Sequence, residues 1–194
     1  MTLPVTADLK SYLRIETSDE DALCASLLVR AQAMVETYIG RPLVAVTDLT
    51  TVDDAITHEL YGRVTTLQTD LWPIDPAAVS IVDGDGLAVD PATYRIVASR
   101  GQIVGLPGTS FVHGPFTITY TAGLSLDPFY ATRIEPLASA AILDVAADLY
   151  QRRNPAATQE AAGGGVSTSY NVTAIPERTC RMLDGLRIPA VSAL

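Results

Sequence analysis

Residues 17–41, TSDEDALCASLLVRAQAMVETYIGR, decide the fold class because they combine a helix start, an apolar stripe and a helix stop. Thr17 or Ser18 can accept hydrogen bonds from free backbone N–H groups, and the three acidic residues that follow suit the positive end of the helix dipole. Gly40 can adopt the left-handed conformation that ends a helix, and Pro42 prevents continuation. The stretch predicts a long helix that serves as packing surface.

This helix and two later helical segments supply the predicted core. On the long helix the apolar side chains recur at steps of three and four, at Leu23, Leu27, Ala31, Met34 and Tyr38. Cys24, Leu28 and Val35 widen this stripe enough to face a core. A second long helix is predicted from about Arg133 or Pro136 to Arg153, and a short one from Pro176 to Asp184. The predicted core positions are Leu23, Leu27, Met34, Tyr38, Val145 (or Leu143 in its place), Leu149 and Leu183.

The middle of the chain has a different pattern, in which proline, glycine and aspartate separate short β-branched runs. Asp83–Gly86 lies between two such runs and predicts a hairpin turn. We therefore expect a small antiparallel sheet here. The candidate strands are His58–Tyr61, Val79–Val82, Tyr94–Val97, Gln102–Val104 and Phe116–Thr121.

The order of these elements predicts an α+β fold. It is a helical bundle of two long and two short helices, with an antiparallel β insertion between the second and third helices. Thr6 is the expected N-cap of the short first helix. The predicted parts are an N-terminal helical hairpin at 1–41, the β insertion at 42–123, a long helix at 124–155, a flexible glycine-rich loop at 156–175, and a short C-terminal helix with a tail at 176–194.

Charge and composition exclude several classes of protein. The net charge is −9, and Lys10 is the only lysine among thirteen basic residues, so the surface should repel duplex phosphates. Residues 1–16 lack the basic start and long apolar run of a secretory signal. No run of about eighteen apolar residues predicts a membrane span. Cys24 and Cys180 are therefore expected to be buried thiols in a reducing cytoplasm.

No motif in the sequence carries a recognisable chemistry. Asp83–Gly86 lacks the further oxygen ligands of a calcium loop. The glycines at 163–165 are not followed by the lysine that a phosphate-binding loop needs. His58 and His113 have no second histidine or cysteine at a metal-ligand spacing. The sequence thus predicts no catalytic residue, cofactor or metal site.

Five segments, taken together, resemble the head–tail connector, or adaptor, proteins of long-tailed phages and gene transfer agents. The resemblance covers residues 7–41 and 116–153 and is weaker over the β insertion and the C-terminal tail. The matching segments are Leu9–Ile15 followed by Ser18–Asp21, Val35–Pro42, Ile118–Gly123 and Ala141–Arg153.

This resemblance implies a structural role and no catalytic residues. Such adaptors form a dodecameric ring beneath the portal protein, extend the DNA channel, and present a surface to a stopper or tail protein. DNA would pass without specific binding, and no membrane would be involved. The resemblance places the chain in the neck of a virion or phage-like particle, after synthesis in the bacterial cytoplasm.

The last nineteen residues are expected to dock on the portal, with the β insertion or its loops facing the tail side or the ring exterior. The tail is more apolar than a free terminus usually is, and segments of this kind can become ordered on a partner. The expected portal contacts are Arg187, Ile188, Pro189, Val191 and Leu194.

Three alternatives compete with the adaptor hypothesis. The first is another neck assembly factor, such as a stopper or a tail-completion protein, although two long helices count against it. The second is a small enzyme or ligand-binding module with its site around His58, Tyr61, Trp72 and His113. The third is a helix-turn-helix DNA-binding protein built from the first helix pair, which the acidic net charge disfavours.

Overall fold

A computed structural model of the chain describes residues 3–53, 65–109, 111, 114–152 and 175–187. The chain forms two compact units, Met1–Gly40 with Ala131–Leu194, and Arg41–Tyr130. The first unit is helical and the second contains the β-strands. The predicted α+β class is therefore confirmed.

The helical unit contains two short and two long helices within the described residues. They are α1 (Thr6–Leu13), α2 (Asp21–Ile39), α3 (Glu135–Arg152) and α4 (Glu177–Leu183). Helix α2 packs against each of the other three, and α3 also contacts α1 and α4. Alanines account for most of the buried residues of α3, and their small side chains allow α2 to approach closely. The predicted contact between the helices before and after the insertion is confirmed.

The buried residues of α2 lie along one edge of the predicted stripe, the edge that Cys24, Leu28 and Val35 form. Cys24, Leu28, Ala31, Val35 and Ile39 are buried. The predicted core residues Leu23, Leu27, Met34 and Tyr38 of α2, and Leu149 of α3, are partly exposed, whereas Val145 and Leu183 are buried. The reason is that the apolar residues of α2 form two adjacent rows along the helix. The row that contains Leu28 faces the other helices, and the row that contains Leu27 stays partly exposed.

Helix α2 is also the one helix of the described ranges whose length and mean hydropathy of 1.2 would suit a membrane span. Core helices pass the same test, and the contacts of its buried stripe with the other helices account for its apolar character.

The helix starts differ from those predicted. Helix α2 begins at Asp21 with Glu20 as its N-cap, because residues 18–20 form a turn in which the Ser18 carbonyl accepts a hydrogen bond from Asp21 N at 3.1 Å. Neither Thr17 nor Ser18 caps the helix. Its end is as predicted, since Gly40 is left-handed with φ 76°. Thr6 is the first residue of helix α1 and not its cap, because Val5 takes the N-cap position and its N–H donates to the Asp8 carboxylate at 2.8 Å.

The second unit contains two three-stranded antiparallel sheets. The strands are β1 (Val46–Asp53), β2 (Thr66–Gln68), β3 (Ser80–Val82), β4 (Tyr94–Val97), β5 (Gln102–Gly105) and β6 (Phe116–Ala122). One sheet has the order β1-β6-β3 and the other β2-β5-β4. Four of the five predicted strands correspond to β3–β6, and the fifth, at 58–61, lies outside the described residues. Strands β1 and β2 were not predicted.

Both sheets contribute to one hydrophobic core. Strand β6 alternates buried and partly buried residues over its whole length, as its alternating sequence predicts. The aromatic side chain of Phe111 contacts Phe116 edge-on, with ring centroids 5.5 Å apart. The core residues are Leu67, Ile74, Ile81, Tyr94, Ile103, Phe111, Phe116, Ile118, Tyr120 and Ala122.

The end of β6 is held by hydrogen bonds and by a close backbone approach. The Tyr120 hydroxyl lies 3.0 Å from Thr51 Oγ1 and accepts a hydrogen bond from Leu71 N at 3.3 Å. A Cβ atom on Gly123 would lie 2.6 Å from the carbonyl oxygen of Val44 and 2.7 Å from Cα of Ala45. The segment Ile118–Gly123, one of those that carry the resemblance, thus has a packing role.

The Asp83–Gly86 segment forms the predicted turn. Gly86 N donates to the Asp83 carbonyl at 3.0 Å, and Leu87 N donates to the Asp83 carboxylate at 2.8 Å. The chain after the turn returns to β3 only through an isolated bridge between Val82 and Ala88. The Asp83 carboxylate is therefore occupied in stabilising the turn.

Candidate interaction site

Within the helical unit, the described chain after α4 ends on the surface of α2. Arg187, the first of the expected portal contacts, is exposed, and its guanidinium lies 5.2 Å from the centroid of the Tyr38 ring. This is a distance at which a cation is attracted to an aromatic face. The other expected contacts, Ile188, Pro189, Val191 and Leu194, lie outside the described residues.

A second contact attaches the end of α4 to the same tyrosine. The Tyr38 hydroxyl donates a hydrogen bond to Asp184 Oδ1 at 2.7 Å. This bond, with smaller contributions from desolvation and from Cys180, raises the pKa of Tyr38 to about 12. The phenol therefore stays neutral and keeps donating to the carboxylate through the whole physiological pH range.

Beside these contacts, a groove of about 540 Å³ separates α2 from the start of α4. The groove is mainly apolar, and Arg30 is the one residue lining it that carries a full charge at neutral pH. One cysteine, Cys180, lies in it and is partly exposed, whereas Cys24 is fully buried, so the expectation of two buried thiols is correct only for Cys24. The lining residues are Arg30, Ala33, Met34, Thr37, Tyr38, Ile175 and Cys180.

At another place in the helical unit, three helices meet at one carboxylate of α3. Asp144 accepts a hydrogen bond from the Tyr12 hydroxyl of α1 at 2.8 Å and one from Arg178 of α4 at 2.7 Å. The bond to Asp144 also raises the pKa of Tyr12. Lys10 and Asp21 form an ion pair at 2.5 Å between α1 and α2. These polar contacts fix how the helices are arranged, and none forms a catalytic set.

Apolar side chains remain on the surface of the helical unit. Val29 of α2 is 70% exposed and Val5 is 58% exposed. Leu23, Leu27 and Met34 form a partly exposed row on α2. Contiguous exposed apolar patches can mark contact surfaces, whereas single exposed apolar side chains are ordinary.

Of the four residues of the alternative enzyme site, the described part of the chain contains Trp72. Trp72 contacts Arg41, whose guanidinium lies 5.9 Å from the ring centroid, within the second unit. His58, Tyr61 and His113 lie outside the described ranges. Among the described residues, no three His, Cys, Asp or Glu side chains are grouped as metal ligands.

The described residues form an α+β protein whose helical unit carries an apolar groove and a partly exposed apolar row. The chain belongs to the head completion protein family, since the model of that family matches residues 3–188. The expected resemblance to phage head–tail connectors is thereby confirmed at the level of the family. The family is structural, and its members take part in phage head assembly, which places the chain in the head or neck of the particle together with other proteins found there. No curated protein matches the chain.

Sequence reasoning missed the groove and the contacts of Tyr38. Asp184 is 146 residues away from Tyr38 in sequence, and no local pattern indicates such a pair. One signal for the groove was present in the sequence, because the apolar surface of α2 is wider than one helix–helix contact needs.

Proposed function

We propose that the protein is the adaptor that forms a ring, dodecameric when assembled, beneath the portal of a phage or phage-like particle. The ring extends the DNA channel and offers the docking surface for the next stopper or tail protein. The observation that carries this proposal is the match of the head completion family to residues 3–188, together with the partly exposed apolar row on α2.

A ring of identical subunits supplies a partner for that row. In a cyclic assembly, each subunit uses two different patches, one for each neighbour. The row Leu23, Leu27 and Met34 is one candidate patch, because it stays partly exposed beside a stripe that is already buried. Its burial in the ring would stabilise the assembly by about 25 cal/mol per Å² of apolar area removed from water.

The charge of the chain supports a channel through which DNA slides. A net charge of −9 repels phosphates, so an acidic wall would let DNA pass without holding it. We further propose that the insertion predicted at 42–123 or its loops face the tail side or the ring exterior, while residues 176–194 face the portal.

The portal contact is tested by truncation. Removal of residues 187–194 deletes Arg187, Ile188, Pro189, Val191 and Leu194 and should weaken attachment to portal-bearing heads. The full-length and truncated proteins are compared in a pull-down with such heads, and a variant Gly185→Ala serves as the control, because its added methyl meets no atom within 4 Å. Equal retention of the truncated and full-length proteins would remove the portal assignment.

A further inference from the structure

We propose that, in the free protein, the groove between α2 and the start of α4 binds residues 188–194 of the same chain. The proposal concerns the protein before assembly and does not depend on the portal. The proposed occupant is a short apolar segment that follows Arg187 directly in sequence.

The groove has the character of a peptide-binding surface. Its volume of about 540 Å³ lies in the range of sites that enclose several side chains. Ala33, Met34 and Ile175 give it apolar walls. An uncovered groove of this kind leaves apolar surface in water, so a segment that fills it with hydrocarbon is favoured.

The chain leaves α4 at the edge of this groove. Arg187, the last described residue, lies over the ring of Tyr38, and Tyr38 itself lines the groove. Asp184 accepts the hydrogen bond from the same tyrosine, so the start of the tail is held there from two sides. Seven further residues reach about 23 Å when extended. A segment attached so close has an effective concentration in the millimolar range.

The tail has the chemistry that the groove accepts. Residues 188–194, IPAVSAL, carry no charged side chain and one hydroxyl. Ile188, Val191 and Leu194 recur every third residue, so they share one side of the segment in a polyproline II conformation, which has three residues per turn and nearly the same reach. The segment that precedes Ile175 in sequence, residues 153–174, contains Arg153 and Glu160 and a run of three glycines, so its composition matches apolar walls less well.

Cys180 provides the test because it lines the groove and is partly exposed, while Cys24 is fully buried. The rate at which a maleimide labels Cys180 is measured in the full-length protein and in a protein that ends at Arg187, both carrying Cys24→Ala. If the groove is open in one molecule out of ten, truncation should raise the rate about tenfold. Circular dichroism and thermal melting verify that both proteins are folded.

Two point variants give the matched control. Leu194→Asp should raise the labelling rate as truncation does, whereas Ser192→Asp, at the one polar position of the tail, should leave it low. Equal rates in the full-length and truncated proteins would overturn the proposal and leave the groove to another segment. Protection of Cys180 from the maleimide that appears only as the protein concentration rises would also overturn the proposal, because the occupant would then be the tail of a second copy.

Discussion

Replacement of Gly123 tests how tightly the β unit is packed, because the structure leaves no room for a side chain at this position. Its conformation is extended, with φ 162°, so any residue could adopt it, and the restriction is one of space alone. The nearest atoms to an added Cβ are backbone atoms of Val44 and Ala45, at 2.6–2.8 Å, whereas ordinary contact begins at 3.4 Å. Replacement by alanine would force these segments about 0.8 Å apart.

The separation is resisted by backbone hydrogen bonds on both sides of the glycine. Gly123 N donates to the Pro73 carbonyl at 3.1 Å, Leu124 N to Pro42 at 3.0 Å, and Ser125 N to Leu43 at 2.9 Å. Overpacking costs about 1–3 kcal/mol, and weakening one such bond adds about 1 kcal/mol. We therefore expect Gly123→Ala to lower the free energy of unfolding by about 2–4 kcal/mol.

Urea unfolding followed by circular dichroism measures this loss. Gly185→Ala is the control, because no atom lies within 4 Å of its added methyl group and the glycine does not have a positive φ. That variant should change the free energy of unfolding by less than about 1 kcal/mol. If both variants unfold at the same urea concentration, the proposed close approach at Gly123 is wrong.

Three further changes probe the helices, the buried hydroxyl and the surface phenol. Leu28→Ala should lower the free energy of unfolding by about 2–5 kcal/mol, because the Leu28 side chain is buried. Leu27→Ala should lower it clearly less, because the Leu27 side chain is partly exposed, and urea unfolding of the two variants measures the difference. Tyr120→Phe removes the hydroxyl next to Thr51 and should cost about 1–2 kcal/mol by the same assay, and a neutral result would show that this network contributes nothing. The hydrogen bond to Asp184 raises the pKa of Tyr38 from 10.0 to about 12. The stabilisation that this bond gives is therefore present below pH 10 and is lost as the pH rises through about 12. The ultraviolet titration of the wild type minus that of Tyr38→Phe should show a midpoint near 12, and a midpoint near 10 would contradict the bond to Asp184.

The helices were predictable because their signals are local. Gly40 ends α2, and Pro136 lies in the first turn of α3, as the sequence indicates. The phase of the buried stripe was not predictable, because Leu27 and Leu28 are adjacent and equally apolar. Contacts with the other helices decide that Leu28 is the one that is buried.

Strand β1 escaped prediction because its side chains show little of a buried pattern. It lies at the edge of its sheet, and within Val46–Asp53 Thr51 is the one fully buried residue. Asp48 has φ 57°, and the pairing with β6 shifts between Val46 and Leu49. The strand forms through backbone hydrogen bonds to β6, which side-chain periodicity does not report.

The polar contacts that arrange the helices join residues that are distant in sequence. Tyr12 meets Asp144 across 132 residues, and Tyr38 meets Asp184 across 146. No spacing rule links such positions, so the sequence could indicate an apolar tail but not the groove between α2 and the start of α4. The resemblance to connector proteins indicated the family, and the match over residues 3–188 confirms it.

The central claim is that copies of this chain assemble under the portal, and electron microscopy of portal-bearing heads tests it most directly. Heads are imaged with and without the added protein, and the neck region is averaged in both sets. The account predicts an additional ring of density, with twelve subunits, directly below the portal and open along the DNA channel. A neck that is identical in the two sets, or density bound elsewhere on the capsid, would contradict it.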